Sequence, residues 1–240
     1  MNQVRPNTLL STLSKVEDSL LFDNLQEYSA DRHTVLQRAG EVSDHVYFPL
    51  SGMISYLTVM NDGEAVETSS IGYDNAAGCN TALSGRNANC QLIVQLDMKS
   101  LRIKSPLFRT AYDQSPRVRH IVQVSSELLI EQVQQTAACH ALHSAEQRLA
   151  RWLLQCYDYA GNEFLDLTQD FVSEMLGVRR TTVSQVAATL QTEGLIKYRR
   201  GHVTVLDRES LLARSCECYD AVTKHRHGHI PVKPIAVPPQ

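Results

Sequence analysis

Short apolar runs separated by turn-forming residues occupy the first half of the chain, between residues 20 and 103. The runs "MISYLTVM" and "AVETSSIG" flank Asp62 and Gly63, a pair that favours a tight hairpin because such a turn needs positive φ at its central positions. Further candidate corners are Gly40, Gly52, Gly72, Gly78 and Gly85. Short strands joined at regular intervals by turns are typical of an antiparallel barrel or roll. Residues 1–114 are therefore predicted to form an antiparallel β-roll.

A run without glycine or proline follows Pro116 and continues to Leu142. Within it, apolar and small residues recur at alternating spacings of four and three, which is the seam of a coiled coil. The predicted seam consists of Val118, Val122, Ser125, Leu129, Gln132 and Thr136, and Cys139 continues it. An adjoining apolar face is formed by Ile121, Val124, Leu128 and Val133. Because a helix with two apolar faces needs two partners, residues 115–143 are predicted to pack one face on the roll and the seam on the same helix of a second chain. The alternative is a single core helix in a monomer.

Two short apolar-periodic runs, joined by Gly177, follow within residues 167–195. They come after a helix that is predicted to begin at the N-cap residue Ser144 and to end at Gly161. Thr168 is a second N-cap candidate, and Gly177 tolerates the backbone conformation of a sharp turn. The apolar positions that would lock the two runs as crossed helices are Val172, Leu176, Val178, Val183 and Val186. This spacing is typical of a helix-turn-helix motif.

The second helix of the motif, predicted over residues 179–191, has two unlike faces. The inner arc of its helical wheel holds Val183, Val186, Ala187 and Leu190. The outer arc holds Arg180, Thr181, Ser184, Gln185 and Ala188. A helix with short polar side chains and an arginine fits the major groove of DNA, where arginine bonds guanine, glutamine bonds adenine and a threonine methyl contacts thymine. The pattern therefore predicts a recognition helix.

Two short strands are predicted around residues 195–198 and 202–206, with Arg199, Arg200 and Gly201 in the turn. A hairpin tipped with arginines beside a recognition helix is suited to phosphate contacts. Residues 177–206 hold five basic residues against the single acid Glu193, a local charge of +4 in a chain of net charge −3. Residues 144–222 are thus predicted to form a winged helix-turn-helix domain that binds DNA. Its predicted contact residues are Thr168, Arg179, Arg180, Thr181, Thr182, Ser184, Gln185, Arg199, Arg200 and His202.

Composition narrows the class of protein. A hydrophobic fraction of 43% and a charged fraction of 20% are those of an ordinary globule, and no apolar run approaches the roughly 20 residues that cross a bilayer. The first residues lack the charged start, apolar stretch and cleavage site of a signal peptide, which predicts a cytoplasmic protein without a membrane partner. Six scattered cysteines predict reduced thiols rather than a disulfide framework. Residues 223–240, rich in proline and histidine, are predicted to be a flexible tail.

The order of these parts resembles the Crp/Fnr superfamily of bacterial transcription regulators, most specifically over "LTQDFVSEMLGVRRTTVSQVAATLQTEGLI". The resemblance implies an α+β fold: a roll of the cyclic-nucleotide-binding type (a double-stranded β-helix), a long dimerisation helix and a winged helix-turn-helix. It also implies a cytoplasmic homodimer that binds a pseudo-palindromic operator and contacts RNA polymerase. The guanine-reading arginine of the family corresponds to Arg180, and flanking contact positions correspond to Thr181, Ser184 and Gln185. Thr181 and Gln185 differ from the catabolite activator protein, so the operator sequence is not implied.

The roll departs from the cyclic-nucleotide members of that superfamily. Those members hold the ribose with a Gly-Glu pair and the phosphate with an Arg-Ser or Arg-Thr pair, whereas Gly78 is followed here by Cys79 and the phosphate position falls near Asn89. Arg86 alone would lack the amides and hydroxyl of a phosphate site. We therefore expect no cyclic nucleotide, and leave open another small molecule or none. Because no cysteine precedes Cys79, an N-terminal iron–sulfur cluster is not expected either.

The remaining cysteines give no predicted metal site. Cys216 and Cys218 are two residues apart, and on a helix this spacing points the thiols about 160 degrees apart, which is poor for chelation. A metal or redox site that combines them with the tail histidines stays open as an alternative; these are His225, His227 and His229. Cys139 and His140 are expected to be a seam residue and a surface residue.

Two other classes of function remain as alternatives. An enzyme would have to use His33, Asp44, His45 and Cys79 of the roll, but these share no nucleophile-base motif, and the chain has no glycine-rich phosphate loop. No catalytic residue is therefore predicted. The second alternative is a ligand- or redox-sensing module whose helical domain contacts protein rather than DNA.

Overall fold

The first part of the chain forms a rolled antiparallel sheet. The structure is a computed structural model that describes residues 4–161, 164–199 and 201–228. Its strands are β1 (Gln26–Ala30), β2 (Val35–Gln37), β3 (His45–Val59), β4 (Ala65–Ile71) and β5 (Gln91–Lys104). β5 pairs with β1, β2 and β3, and β3 also pairs with β4, in every case antiparallel. Gly63, at φ +89°, forms the β3–β4 hairpin at the predicted place. The predicted antiparallel roll is confirmed.

Three short helices flank the sheet, and one long helix follows it. They are α1 (Ser19–Phe22), α2 (Cys79–Ser84), α3 (Ser105–Gln114) and α4 (Pro116–Leu142), after a single 3-10 turn at Leu10–Thr12. The Ser115 side chain caps α4 by accepting a hydrogen bond from the Val118 amide at 3.2 Å, and Pro116 occupies the first turn, where no amide donor is needed. The predicted long helix is therefore present.

The seam predicted for a second chain is instead buried in this one. Its members Val118, Val122, Ser125, Gln132 and Thr136 are each at most 7% exposed, and Leu129 is half-buried. Ser125 Oγ donates to Asn75 Oδ1 at 2.6 Å, and Gln132 Oε1 accepts from Ser69 Oγ at 2.8 Å. The prediction that these positions face outward is wrong because small and polar seam residues satisfy polar groups of the roll. The apolar residues that stay exposed on α4 are Ile130, Val133, Ala137, Ala138, Ala141 and Leu142.

The second half of the chain is a mixture of helices and one small sheet. Its elements are α5 (Ala145–Ala160), β6 (Phe164–Asp166), α6 (Gln169–Leu176), α7 (Arg180–Thr192), β7 (Ile196–Arg199), β8 (His202–Val205), α8 (Arg208–Arg214) and α9 (Cys218–Gly228). We call the part from α5 to α8 the winged domain. Its strands form one antiparallel sheet in the order β6-β8-β7, so the predicted wing hairpin gains a third strand that the sequence did not indicate. None of the described helices is both long and apolar enough to cross a membrane.

The roll and the winged domain share one hydrophobic core. Met53 and Leu96 of the roll lie in the same buried cluster as Trp152 of α5 and Phe171 of α6. The turn between α6 and α7 also meets the β3–β4 hairpin, because a Cβ on Gly177 would lie 3.1 Å from a Val66 methyl carbon. The winged domain is thus packed against the roll and held in one orientation.

Candidate nucleic-acid interface

The crossing of α6 and α7 follows the predicted apolar spacing. Val172 is fully buried, Leu176 is 2% exposed and Val183 is 1% exposed, while Val178 and Val186 pack against the same core. Gly177 ends α6 at φ +58°, a left-handed conformation that favours glycine. The amide of Val178 donates to the Ser173 carbonyl at 3.0 Å and so closes the turn. The packing of α6 against α7 leaves the opposite face of α7 outside the core.

That outer face carries most of the residues predicted to contact DNA. Arg180, Thr181 and Gln185 are exposed, and Thr182 is half-buried. Arg179 is exposed as the N-cap residue, so α7 begins one residue later than predicted. These side chains project from the first turns of a rigid helix whose opposite face is fixed by Val183, Ala187 and Leu190; the latter three are at most 1% exposed.

Two of these residues already have partners inside the domain. Ser184 Oγ donates to Gln169 Oε1 at 2.6 Å, so this hydroxyl joins the start of α6 to α7. Arg180 Nε lies 3.1 Å from Asp170 Oδ1, with both side chains more than half exposed. An exposed ion pair of this kind contributes about 0.2 to 1 kcal/mol, which a phosphate or a guanine could replace. The ion pair with Asp170 therefore orients the Arg180 side chain but is weak enough to be exchanged for a contact with DNA.

The wing lies beside α7 and is fastened to it. The Tyr198 amide donates to Gln191 Oε1 at 2.8 Å, and the Tyr198 hydroxyl donates to the Leu167 carbonyl at 2.6 Å. Burial raises the pKa of that hydroxyl, so it remains a donor at neutral pH. Arg199 and His202 are exposed on the wing. Thr168 is also exposed and caps α6 by accepting from the Phe171 amide at 3.3 Å, and its methyl carbon would lie 3.4 Å from a Cβ on Gly201 of the wing turn. Arg200, also predicted to contact DNA, lies outside the described residues.

The surface formed by α7 and the wing carries an excess of positive charge. Glu193, the one acid of residues 177–206, is paired with Arg214 of α8. Asp166 is paired with Arg32 of the roll and lies 3.2 Å from His202 Nδ1. These acids are therefore largely neutralised, while Arg179, Lys197 and Arg199 remain exposed at the surface. The sequence signalled the excess of charge but not these pairings.

A cavity of about 420 Å³ lies between the roll and α4. Its described lining is uncharged and includes Tyr56, Gly78 and Cys79 of the roll with Ser125 and Leu129 of α4. Burial raises the pKa of the Cys79 thiol to about 12, so this sulfur is neutral at physiological pH and unsuited to nucleophilic chemistry. A small molecule in this cavity would touch both the roll and the long helix.

Buried polar contacts join the roll to α5. Trp152 Nε1 donates to Glu67 Oε1 at 3.1 Å, and Tyr159 Oη donates to Asp74 Oδ2 at 2.9 Å. Glu67 is 5% exposed, and its burial raises the pKa of the carboxyl to about 7 against the hydrogen bonds from Ser55 and Trp152. The sequence carries no sign that these residues form buried contacts. A single glutamate in a strand, such as Glu67, is usually exposed to solvent.

Three cysteines and one histidine meet where α4 ends. The ligand atoms of Cys139, His143, Cys216 and Cys218 all lie within 4.8 Å of one another. The expectation that the Cys216 and Cys218 thiols diverge is wrong, because α8 ends at Arg214 and α9 begins at Cys218, so Cys216 is not on a helix. Cys139 was predicted to face a second chain, whereas it is fully buried in this cluster. The side chains of the tail histidines lie outside the described residues.

Comparison with known proteins supports the architecture. Residues 147–214 match the family model of the Crp-like helix-turn-helix domain. No curated protein matches the chain in sequence. A Crp/Fnr-family transcriptional regulator from Eubacterium rectale superposes with a TM-score of 0.68 at 18% identity, covering 85% of this chain and 96% of that one. FixK2 from Bradyrhizobium japonicum gives 0.67 at 16% identity, covering 80% and 98%.

A third structure agrees with these two. A Crp/Fnr-family transcriptional regulator from Thermus thermophilus superposes with a TM-score of 0.66 at 19% identity, covering 79% of this chain and 98% of that one. Each superposition spans at least 79% of this chain, which is more than the roll or the winged domain alone. Residues 147–214 are therefore a Crp-like helix-turn-helix domain, and the chain as a whole has the fold of the Crp/Fnr-family transcriptional regulators.

Proposed function

We propose that this protein is a DNA-binding transcription regulator of the Crp/Fnr type that acts in the cytoplasm. The observation that carries the proposal is the outer face of α7, where Arg180, Thr181 and Gln185 stand exposed on a helix fixed from behind. A recognition helix needs exposed side chains, which can enter the groove, and a fixed inner face, which holds those side chains in position against the bases. The basic wing beside it supplies contacts to the phosphate backbone.

Direct base contacts are assigned to Arg180 and Gln185, with Thr181 beside them. Arg180 can exchange Asp170 for the two acceptors of guanine, which match the guanidinium fork. Ser184 is assigned a supporting role, since its hydroxyl already donates to Gln169. Contacts to phosphates are assigned to the other residues predicted to contact DNA: Thr168, Arg179, Thr182, Arg199, Arg200 and His202.

A homodimer would present two such helices to an operator with twofold symmetry. Ile130 is 54% exposed and Val133 is 39% exposed on α4, and Ala137 continues the same stripe. These positions repeat the spacing of four and three, one residue further along the chain than the predicted seam, and so lie about 100 degrees around the helix. The dimer contact is therefore assigned to this stripe, and RNA polymerase contact is expected only by analogy with the family.

The cavity between the roll and α4 is proposed to take an effector other than a cyclic nucleotide. Its uncharged lining offers hydroxyls and a thiol but no arginine for a phosphate among the described residues. Arg86 is exposed and is not among the residues that line this cavity. A ligand with a buried phosphate would lack a partner for its charge.

Binding of duplex DNA at several salt concentrations tests the proposal. Wild-type protein is expected to bind a selected duplex with a steep salt dependence, because phosphate contacts release counterions. Arg180→Ala is expected to weaken specific binding by about 1 to 3 kcal/mol and to relax one base position in each half-site. Arg86→Ala, an exposed arginine on the roll, is the matched control and should bind as wild type. Absence of salt-dependent binding would favour the alternative in which the winged domain contacts protein.

The oligomeric state is tested separately by sedimentation. Val133→Glu places a charge in the exposed stripe of α4 and is expected to shift the wild-type dimer to a monomer, since a buried unpaired charge is costly. Gln123→Glu, on an exposed polar position of the same helix, is the control. A wild-type monomer at micromolar concentration would contradict the assignment of this stripe.

A further inference from the structure

The cluster at the end of α4 combines the ligand types of a structural metal site. Cys139 and His143 are four residues apart on one face of α4 and its C-cap, and Cys216 and Cys218 approach from the segment between α8 and α9. All three cysteines are at most 3% exposed, and they form a buried group of their own apart from the larger cores. We propose that Cys139, His143, Cys216 and Cys218 bind a single Zn²⁺ ion in tetrahedral coordination.

The distances between ligand atoms fit one small ion. Cys139 Sγ lies 3.5 Å from Cys216 Sγ, and Cys218 Sγ lies 3.4 Å from His143 Nδ1. A tetrahedral ion with Zn–S bonds of about 2.3 Å holds its sulfur ligands about 3.8 Å apart. The four ligand atoms, all within 4.8 Å of one another, are therefore already close to the separations that one tetrahedral ion requires. Three thiolates and an imidazole in a closed tetrahedron are a ligand set typical of structural zinc.

Outer contacts orient two of the ligands. His143 Nε2 lies 3.2 Å from Glu217 Oε2, which leaves Nδ1 with its lone pair toward the cluster. This carboxylate-histidine arrangement is the usual support for a metal-bound imidazole. Gln135 Nε2 donates to Cys218 Sγ at 2.9 Å, a contact that stabilises a thiolate.

The surroundings also match the charge of the loaded site. Three thiolates around Zn²⁺ carry a net charge of −1, which must be balanced when the site is buried. Arg151 of α5, eight residues after His143, is 3% exposed; its Nη1 donates to Gln155 Oε1 at 2.8 Å, and its Nε has no partner within the described part of the chain. A buried cation of this kind is expected beside an anionic metal centre.

The ion would join two segments that are far apart in sequence. It would fasten the beginning of α9 and the end of α8 to the residues where α4 passes into the winged domain. Because His143 is the C-cap of α4 and Ser144 is the N-cap of α5, the ion would sit at the joint between the long helix and the winged domain. The expected role is structural, as in other closed sites without an open coordination position.

Metal titration of the reduced, full-length protein tests the proposal. Chelator-stripped wild-type protein is expected to take up one Co²⁺ per chain, with the visible bands of tetrahedral cobalt and charge-transfer absorption from three thiolates, and Zn²⁺ should displace it. Cys90→Ser, a half-exposed cysteine outside the cluster, is the matched control and should behave identically. Cys218→Ser should show charge transfer from two thiolates and lose more affinity than the roughly 10- to 100-fold that follows loss of an outer partner.

Three results would overturn the proposal. They are no uptake of either metal by reduced wild-type protein, an octahedral cobalt spectrum, and equal affinity of the wild type and Cys218→Ser. If reduced wild-type protein binds no metal but forms a Cys139–Cys216 disulfide on oxidation, the cluster is a redox pair instead. Should Cys218→Ser fail to fold by circular dichroism, His143→Gln replaces it, because that side chain is 15% exposed and its loss leaves all three thiolates in the spectrum.

Discussion

Replacing Glu67 by glutamine should stabilise the protein at alkaline pH and change nothing at acidic pH. Glu67 lies between the roll and α5, where its carboxyl accepts from Trp152 and Ser55. Glutamine has the same shape, and its carbonyl can still accept from the Trp152 indole. Its amide can donate to Ser55 Oγ, while the Ser55 hydroxyl turns to Gln95 Oε1 at 3.2 Å. The variant therefore keeps the buried contacts and removes the charge.

The sign of the effect follows from the raised pKa. The folded protein holds the Glu67 proton up to a pKa of about 7, whereas the unfolded chain loses it at about 4.5. As pH rises from 4.5 to 7 the unfolded state is therefore favoured, and above 7 the loss of stability is complete. At 1.36 kcal/mol per pKa unit, the loss is on the order of 3 kcal/mol. Glu67→Gln avoids this loss, so its free energy of unfolding should exceed that of the wild type at pH 8 and equal it below pH 4.5.

Urea unfolding at a series of pH values measures this difference. Trp152 is the sole tryptophan of the chain and touches Glu67, so its fluorescence reports on the relevant interface. His140, whose pKa burial lowers to about 4, gives the opposite slope below pH 6.5, but it is present in both proteins and cancels in the difference. Glu27→Gln makes the same exchange at an exposed residue of β1 and is the control. A variant less stable than the wild type at pH 8, or a difference that is constant from pH 5 to 8, would refute the reasoning.

Three further changes test other parts of the structure. Gly72→Ala would place a Cβ 2.2 Å from the Tyr159 ring and should lower the free energy of unfolding by about 1 to 3 kcal/mol; an unchanged melting temperature would contradict this packing. Ser144→Ala removes one half of the capping box with Gln147 and should cost about 1 kcal/mol in thermal unfolding, with Ser84→Ala on the exposed surface as control. Leu190→Ala opens a cavity behind the recognition helix and should cost about 2 to 5 kcal/mol, together with DNA affinity; retention of both would show that α7 is held by other contacts.

The elements predicted most accurately were those whose signals are local. Gly177 with its flanking apolar positions fixed the α6–α7 crossing, and the Asp62-Gly63 pair fixed the β3–β4 hairpin. In both cases a backbone conformation that few residues tolerate coincides with a regular apolar period. The exposed face of α7 could be predicted for the same reason, since a helical wheel needs only the helix and its buried side.

Features that depend on contacts distant in sequence could not be predicted. The apolar period of α4 correctly predicted a helix, but it does not show which stripe of the helix contacts the roll. The seam residues Ser125 and Gln132 form hydrogen bonds with the roll of the same chain. The convergence of Cys216 with Cys139 depends on a break between α8 and α9, which has no strong sequence signal. The buried contact of Trp152 with Glu67 likewise joins residues that are 85 positions apart.

The junction between α4 and α5 is only two residues long. It consists of His143 and Ser144, both extended, at ψ 150° and ψ 158°. Any re-orientation of the winged domain must therefore be a swing about these few backbone torsions. Such a rotation separates Trp152 from Glu67 and Tyr159 from Asp74 at the same time. A partial rotation would leave these polar groups buried without hydrogen-bond partners, which costs free energy. The two-residue junction and the buried contacts thus make the orientation of the winged domain an all-or-none property, because these contacts would have to break together.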